Sequence, residues 1–165
     1  MKRVVATVTK YHIMTNNEKY MALALKEAEK AFKKNEVPVG CVIVKDDKVI
    51  ARAHNLRQTK KSVLGHAEIL AIEKASKKLN SWILEDCTIY VTLEPCPMCA
   101  GTILQSRIKK LVFAAQEPKF GACGSVINLF EKKFNHEVEV IPNVLQVESS
   151  KLLKNFFQIL RQNKQ

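Results

Sequence analysis

Four residues of this 165-residue chain combine types and spacings that could hold a metal ion beside a carboxylate. His66 and Glu68 stand two positions apart, and Cys96 and Cys99 stand three apart. An imidazole and two thiolates make three ligands, and zinc sites with three protein ligands keep the fourth tetrahedral position for water. We therefore expect one Zn²⁺ per subunit on His66, Cys96 and Cys99, with Glu68 as the catalytic residue.

A closed structural zinc site is the alternative. A Cys-x-x-Cys pair by itself also occurs in redox proteins and in structural zinc sites. In a closed site the fourth ligand would come from His54, Cys87 or Cys123. The catalytic interpretation is favoured because a structural site has no use for a carboxylate such as Glu68.

Two predicted helix starts would bring the four residues together. Apolar residues at helical spacing predict a helix over residues 66–79, and Pro97 favours the first position of a helix over residues 97–106. Cys96 then lies at the second helix start, and Cys99 lies one turn further along. First-turn N–H groups have no backbone partner, and the positive end of each helix dipole favours thiolate over thiol.

The rest of the chain predicts a hairpin followed by alternating helices and strands. In chain order we expect a helix from a capping box at Thr15 to about Asn35, strands over 39–45 and 48–53, a polar loop over 55–65, strands over 87–93, 110–115 and 137–141, and a helix over 147–161. This order predicts an α/β fold, a three-layer α/β/α sandwich with a mixed five-stranded sheet. Residues 1–14 are expected to form a flexible extension, and residues 15–165 a single domain that carries the zinc site.

Charge and cysteine usage limit the partner and the compartment. Lys and Arg number 27 against 16 Asp and Glu, and the formal net charge of +11 favours a polyanionic partner such as nucleic acid. An odd total of five cysteines without a secretory signal argues against a disulfide framework and favours the reducing cytoplasm. No run of about 18 apolar residues is present, so we expect no membrane partner.

The metal motif, together with the sequence around it, resembles one family of zinc nucleobase deaminases. The resemblance is to the tRNA-specific adenosine deaminases of the cytidine-deaminase-like superfamily, and it covers roughly residues 17–161. The stretches that carry it are Glu36–Gly40, Asn55, His66–Glu68, Tyr90–Gly101, Ser106–Ile108 and Phe156–Phe157. It implies a cytidine-deaminase-like fold, a homodimer, and zinc-dependent hydrolytic deamination of adenosine to inosine at the wobble position of a tRNA anticodon. Glu68 would move the protons.

The resemblance also implies a set of substrate contacts. Asn55 would bond the purine edge, Glu117 stands where the family commonly has an aspartate that contacts ribose, and Phe157 would meet the anticodon stem-loop. A pocket wall would be formed by Val37, Pro38 and Val39. The Ala67 N–H, free at its helix start, could also hold the base.

Two other functions remain open at this stage. The first is deamination of a free base or nucleoside such as guanine or cytosine, against which the +11 charge argues. The second is a non-catalytic, zinc-stabilised RNA-binding partner, against which an intact Glu68 argues. For a homodimer interface, the apolar segments that begin at Ile103 and Val126 are the candidates, with core packing as an equal explanation.

Overall fold

The computed structural model of the protein describes residues 12–165. Of the expected extension over residues 1–14, residues 1–11 therefore lie outside the described residues. The capping box predicted at Thr15 is confirmed. Its Oγ1 accepts a hydrogen bond from the Glu18 N–H at 3.2 Å, and the Glu18 carboxylate accepts one from the Thr15 N–H at 2.9 Å.

The predicted fold class is confirmed. The helices are α1 (Asn16–Lys33), α2 (Arg57–Lys60), α3 (Ala67–Leu79), α4 (Pro97–Gln105) and α5 (Gln146–Gln162), and the strands are β1 (Gly40–Lys45), β2 (Lys48–His54), β3 (Cys87–Leu93), β4 (Lys110–Ala115) and β5 (Glu139–Ile141). The five-stranded sheet has the order β2-β1-β3-β4-β5. It is mixed, because β1 runs antiparallel to β2 and β3, whereas β3, β4 and β5 are parallel.

Helices cover both faces of the sheet. Along β1, Cys41 and Ile43 are buried in the cluster that includes α3 and α4, whereas Val42 and Val44 are buried in the cluster that includes α1. The alternation follows from the two-residue period of a strand. The carboxyl ends of β2 and β3 lead directly to Asn55 and to the cysteine motif. Within residues 12–165, none of the helices has the length and apolar character needed to cross a bilayer.

One short helix inside the expected polar loop was not predicted. The α2 helix opens this loop, and the buried Glu36 carboxylate accepts hydrogen bonds from the Gln58 N–H at 3.2 Å and the Thr59 N–H at 2.9 Å. These are first-turn N–H groups that lack backbone partners. Glu36 lies 22 and 23 residues from Gln58 and Thr59 in the chain, so no local sequence pattern predicts this helix.

Replacing Gly40 by alanine is expected to destabilise the domain. A Cβ at Gly40 would lie 1.9 Å from the Ala24 carbonyl oxygen and 2.4 Å from the Ala28 nitrogen, and both are backbone atoms of α1. Helix α1 would have to move off the sheet, and such overpacking costs about 1–3 kcal/mol or more. Urea unfolding should show a lower midpoint for Gly40→Ala.

Gly101→Ala is the matched control for this prediction. A Cβ at Gly101 in α4 meets no atom within 4 Å, and alanine is the better helix former by about 0.5–1 kcal/mol. Its midpoint should be unchanged or higher. Equal midpoints for Gly40→Ala and the unmodified chain would contradict the close approach of α1 to β1.

Candidate active site

Two helix N-termini bring three potential metal ligands together. His66 is the N-cap of α3, Cys96 is the N-cap of α4, and Cys99 lies in the first turn of α4 after Pro97. The Nδ1 atom of His66 lies 3.7 Å from the Cys96 Sγ and 3.5 Å from the Cys99 Sγ. Among the described residues these three form a group whose ligand atoms all lie within 4.8 Å of one another, which is a donor set able to hold a metal ion.

None of the three alternative ligands belongs to this group. Both ring nitrogens of His54 are engaged elsewhere, with Nδ1 3.0 Å from a Glu27 oxygen and Nε2 3.0 Å from the Lys34 Nζ. Cys87 is the first residue of β3. Cys123 lies in the loop after β4, where its backbone forms an isolated antiparallel β-bridge with Asn128. Within residues 12–165, the cluster therefore has an imidazole and two thiols but no fourth protein ligand.

The cysteine pair shares its protons unequally. A hydrogen bond from Cys99 lowers the pKa of Cys96 to about 4, with a further contribution from His66 and with burial opposing the shift. The same hydrogen bond raises the pKa of Cys99, and burial raises it further. The bond to Cys96 raises the pKa of His66. These shifts favour the thiolate form of Cys96, which is the form that binds a metal ion.

Glu68 lies beside these candidate ligands and is buried. It is 4% exposed in the first turn of α3, and its Oε2 accepts a hydrogen bond from the Cys99 Sγ at 3.4 Å. Burial is the largest influence on this carboxyl and raises the pKa of Glu68. A carboxyl with a raised pKa is suited to accept a proton and release it again near neutral pH.

The cluster opens into a cavity of about 540 Å³. Among the residues named from the sequence, its lining includes Val37, Val39, Asn55, His66, Ala67, Glu68, Cys96, Glu117 and Phe157. Pro38 is buried but is absent from the lining, so its expected place in the pocket wall is not borne out by the geometry. The Val39 N–H donates to the Val37 carbonyl oxygen at 2.8 Å, which makes a γ-turn with Pro38 at its centre, between two residues that line the cavity.

Asn55 is held in one orientation. Its side-chain nitrogen donates to the Val37 carbonyl oxygen at 3.2 Å, and its Oδ1 accepts from the Arg57 N–H at 3.1 Å. The second N–H of the amide remains available toward the cavity, because Val37 takes only one of the two donors. The asparagine therefore has one donor to offer a bound molecule without any change of rotamer.

The two adjacent phenylalanines of α5 lie in different environments. Phe156 is buried and packs edge-to-face against Phe32 at a ring distance of 5.6 Å. Phe157 is 39% exposed and lines the cavity. Phe156 therefore belongs to the core, and Phe157 belongs to the cavity wall.

Several lining residues were missed from the sequence. They are Arg57, Val63, Leu93, Glu94, Pro97, Met98 and Phe120. Glu94 is 2% exposed and accepts hydrogen bonds from the N–H groups of Glu117 at 3.2 Å and Cys123 at 3.0 Å. A third N–H, from Ser125, donates at 3.2 Å, and the Ser125 hydroxyl also donates to this carboxylate. A charged residue directly after an apolar strand was the only available signal.

Comparison with known proteins adds relatives to this geometry. The model of the MafB19-like deaminase family matches residues 15–161. The chain is 51% identical to a tRNA-specific adenosine deaminase of Bacillus subtilis, over 92% of this chain and 94% of the relative. It is 46% identical to a tRNA-specific adenosine deaminase of Aquifex aeolicus, over 88% of this chain and 97% of the relative.

Solved structures agree with these sequence relatives. A structure from a study of A-to-I editing by tRNA:A34 deaminases at the wobble position of transfer RNA is 40% identical. It superposes with a TM-score of 0.79 over 81% of this chain and 98% of that one. A guanine deaminase from Nitrosomonas europaea shares the fold, with a TM-score of 0.77 at 22% identity, over 88% of this chain and 86% of that one.

Proposed function

This chain belongs to the family of tRNA-specific adenosine deaminases, and we propose that it hydrolyses adenosine to inosine at the wobble position of a tRNA anticodon. The observation that carries the proposal is that Glu68 contacts Cys99 of the His66–Cys96–Cys99 group and lines one cavity together with His66 and Cys96. The relatives supply the substrate class. The overall reaction consumes one water and one adenosine and yields inosine and ammonia.

Zinc is the metal proposed for the cluster. Tetrahedral zinc with bonds of about 2.0–2.1 Å to nitrogen and 2.3 Å to sulfur separates an imidazole nitrogen from a thiolate by about 3.6 Å. The two His66–cysteine separations, 3.7 and 3.5 Å, fall on either side of that value. A zinc ion held there would activate a water molecule as a nucleophile at neutral pH.

Glu68 is proposed to carry the protons between water and the base. Its raised pKa and its dry position let it take a proton from the attacking water and pass that proton to the purine ring. It would then take the second proton, from the hydroxyl group now on C6, and pass it to the departing amine, which leaves as ammonia. Both transfers need the same carboxylate close to the metal ligands, and the 3.4 Å contact with the Cys99 Sγ is consistent with that position.

The cavity wall is proposed to orient the base. The remaining donor of Asn55 and the N–H of Ala67, which is free at the first position of α3, are suited to the purine edge. Val37 and Val39 supply apolar contact. Glu117, which accepts a hydrogen bond from the Lys119 N–H at 2.9 Å, would contact the ribose, and the partly exposed Phe157 would meet the anticodon loop.

The proposed partner is the anticodon stem-loop, and the proposed compartment is the cytoplasm. Bases of a single-stranded loop can be turned into a pocket at low unstacking cost, and the net charge of +11 favours binding to phosphates. Cys41, Cys87, Cys96, Cys99 and Cys123 are all free thiols, which suits a reducing compartment.

A stem-loop assay tests the function. Zinc-loaded protein is incubated with an anticodon stem-loop that carries adenosine at the wobble position, and inosine is measured after nuclease digestion. Inosine at that position alone is expected, with guanosine at the wobble position as the negative control. Ammonia release from free guanine, cytosine or adenosine, with an unchanged stem-loop, would overturn the proposal in favour of a free-base or nucleoside deaminase.

The proposed assembly is a homodimer. Of the two candidate segments, the one at Ile103 is fully buried in the core of the domain, whereas Val126 is 54% exposed, with Ile127 and Phe134 exposed nearby. We expect two chains per particle by light scattering. Val126→Asp should shift the particle toward one chain, because burying an unpaired carboxylate at an interface is costly. A single-chain particle for the unmodified protein would contradict the dimer.

A further inference from the structure

Phe120 places an aromatic ring at the mouth of the cavity without packing it. The side chain is 67% exposed, yet it belongs to the cavity lining. A single exposed apolar residue is common on protein surfaces and needs no special explanation. What distinguishes Phe120 is the restraint on the backbone that carries it.

The loop around Phe120 is fixed on both sides. The Gly121 N–H donates to the Glu117 carbonyl oxygen at 2.9 Å, which closes a backbone turn that contains Phe120. The Ala122 N–H donates to the Pro95 carbonyl oxygen at 2.9 Å. The buried Glu94 carboxylate receives the loop N–H groups described above. A Cβ at Gly121 would lie 2.2 Å from the Glu94 Oε2, so only a glycine at this position lets the loop approach the Glu94 carboxylate so closely. The backbone that carries the exposed ring is therefore preorganised, and little backbone entropy remains to be lost on binding.

The cavity determines which part of a polynucleotide substrate lies against the Phe120 ring. A volume of about 540 Å³ lies within the range of about 300–1,000 Å³ typical of pockets for one small molecule. The target adenosine must reach Glu68 and the proposed metal ligands, so the nucleotides that flank it in a polynucleotide lie further out, against the exposed part of the lining. There they meet Phe120, together with the exposed Val63 and Phe157. Unstacked bases of single-stranded RNA bind by stacking on such rings.

We propose that Phe120 is a stacking platform for the base of a nucleotide that directly adjoins the target adenosine. The proposal rests on the proposed function and extends it to a second base subsite. Glu94 acts as a positioning residue, because its carboxylate holds the loop that presents the ring. A free nucleoside would not use this subsite.

The test measures kcat/KM on the wobble-adenosine stem-loop. Phe120→Ala should lower it by about 5- to 150-fold, the equivalent of about 1–3 kcal/mol for one base–aromatic stack. Phe120→Tyr should restore most of the loss, since it keeps the ring face. Trp82→Ala, which removes an exposed aromatic outside the cavity lining, should leave kcat/KM unchanged.

A cycle with abasic substrates separates stacking from a general defect. Two further stem-loops each lack one base, on the 5′ or the 3′ side of the adenosine. With one of them, the unmodified chain should lose as much as Phe120→Ala loses with the intact loop, and Phe120→Ala should lose nothing more. Glu94→Gln puts an amide N–H₂ against the loop donors. It should lower kcat/KM on the intact loop more than on that abasic loop, with zinc content unchanged.

The outcomes keep the two proposals apart. No inosine from the unmodified chain would contradict the proposed function. An active unmodified chain with an equally active Phe120→Ala would overturn the stacking platform alone. The stacking platform would also be overturned if Phe120→Ala lowered kcat/KM equally on the intact loop and on both abasic loops. A different particle size of Phe120→Ala on light scattering would overturn it as well.

Discussion

Replacing Glu68 by glutamine is expected to lower the turnover of the wobble-adenosine stem-loop by at least about a hundredfold to ten-thousandfold, the usual contribution of one general acid–base group. Glutamine keeps the shape of the side chain but cannot carry a proton between water and the purine. Because Glu68 is not among the potential ligands, zinc should remain at one ion per chain. The measurements are single-turnover inosine formation and zinc content by atomic absorption.

Glu73→Gln is the matched control for this substitution. It makes the same chemical change on the same helix, α3, but at an exposed position. Turnover and zinc content should both stay at the level of the unmodified chain. Turnover by Glu68→Gln equal to that of Glu73→Gln would remove Glu68 from the mechanism, whereas loss of zinc from Glu68→Gln would indicate a role in holding the metal.

Cys99→Ser is expected to abolish both zinc binding and deamination. A ligand must be deprotonated to bind zinc, and a serine hydroxyl does not supply the thiolate of Cys99. Two ligands on separate helix starts then remain. Zinc at a thousandfold excess over its dissociation constant stabilises a folded protein by about 4.1 kcal/mol. At roughly 2–4 °C per kcal/mol for a chain of this size, the melting temperature should fall by roughly 8–16 °C.

Cys87→Ala is the control for the metal prediction. It also removes a buried thiol, but Cys87 lies outside the cluster at the start of β3. Zinc should stay at one ion per chain, and a chelator should lower its melting temperature by as much as that of the unmodified chain. For Cys99→Ser the chelator should have no further effect. Full zinc occupancy in Cys99→Ser would contradict the assigned ligand set.

Local chemistry was sufficient to predict the clustered group of candidate ligands and most of the elements. Pro97 and the spacing of Cys96 and Cys99 predict a helix start with both sulfurs on one side, and the structure has that start. The strands over residues 87–93 and 110–115 were predicted with their observed bounds, since continuous apolar runs mark buried strands. The family resemblance added the substrate, which no local pattern contains.

Features that depend on partners distant in the chain could not be predicted. Glu36 stabilises α2 and Glu94 holds the loop around Phe120, through N–H groups 22 to 31 residues away. Before folding, both carboxylates look like ordinary surface acids. Pro38 was expected in the pocket wall with Val37 and Val39, but it lies at the centre of a γ-turn and is absent from the lining. Short-range spacing specifies which donors exist, whereas the folded arrangement of the loops specifies which side chains reach a bound molecule, because burial and long-range hydrogen bonds exist only after the chain has packed.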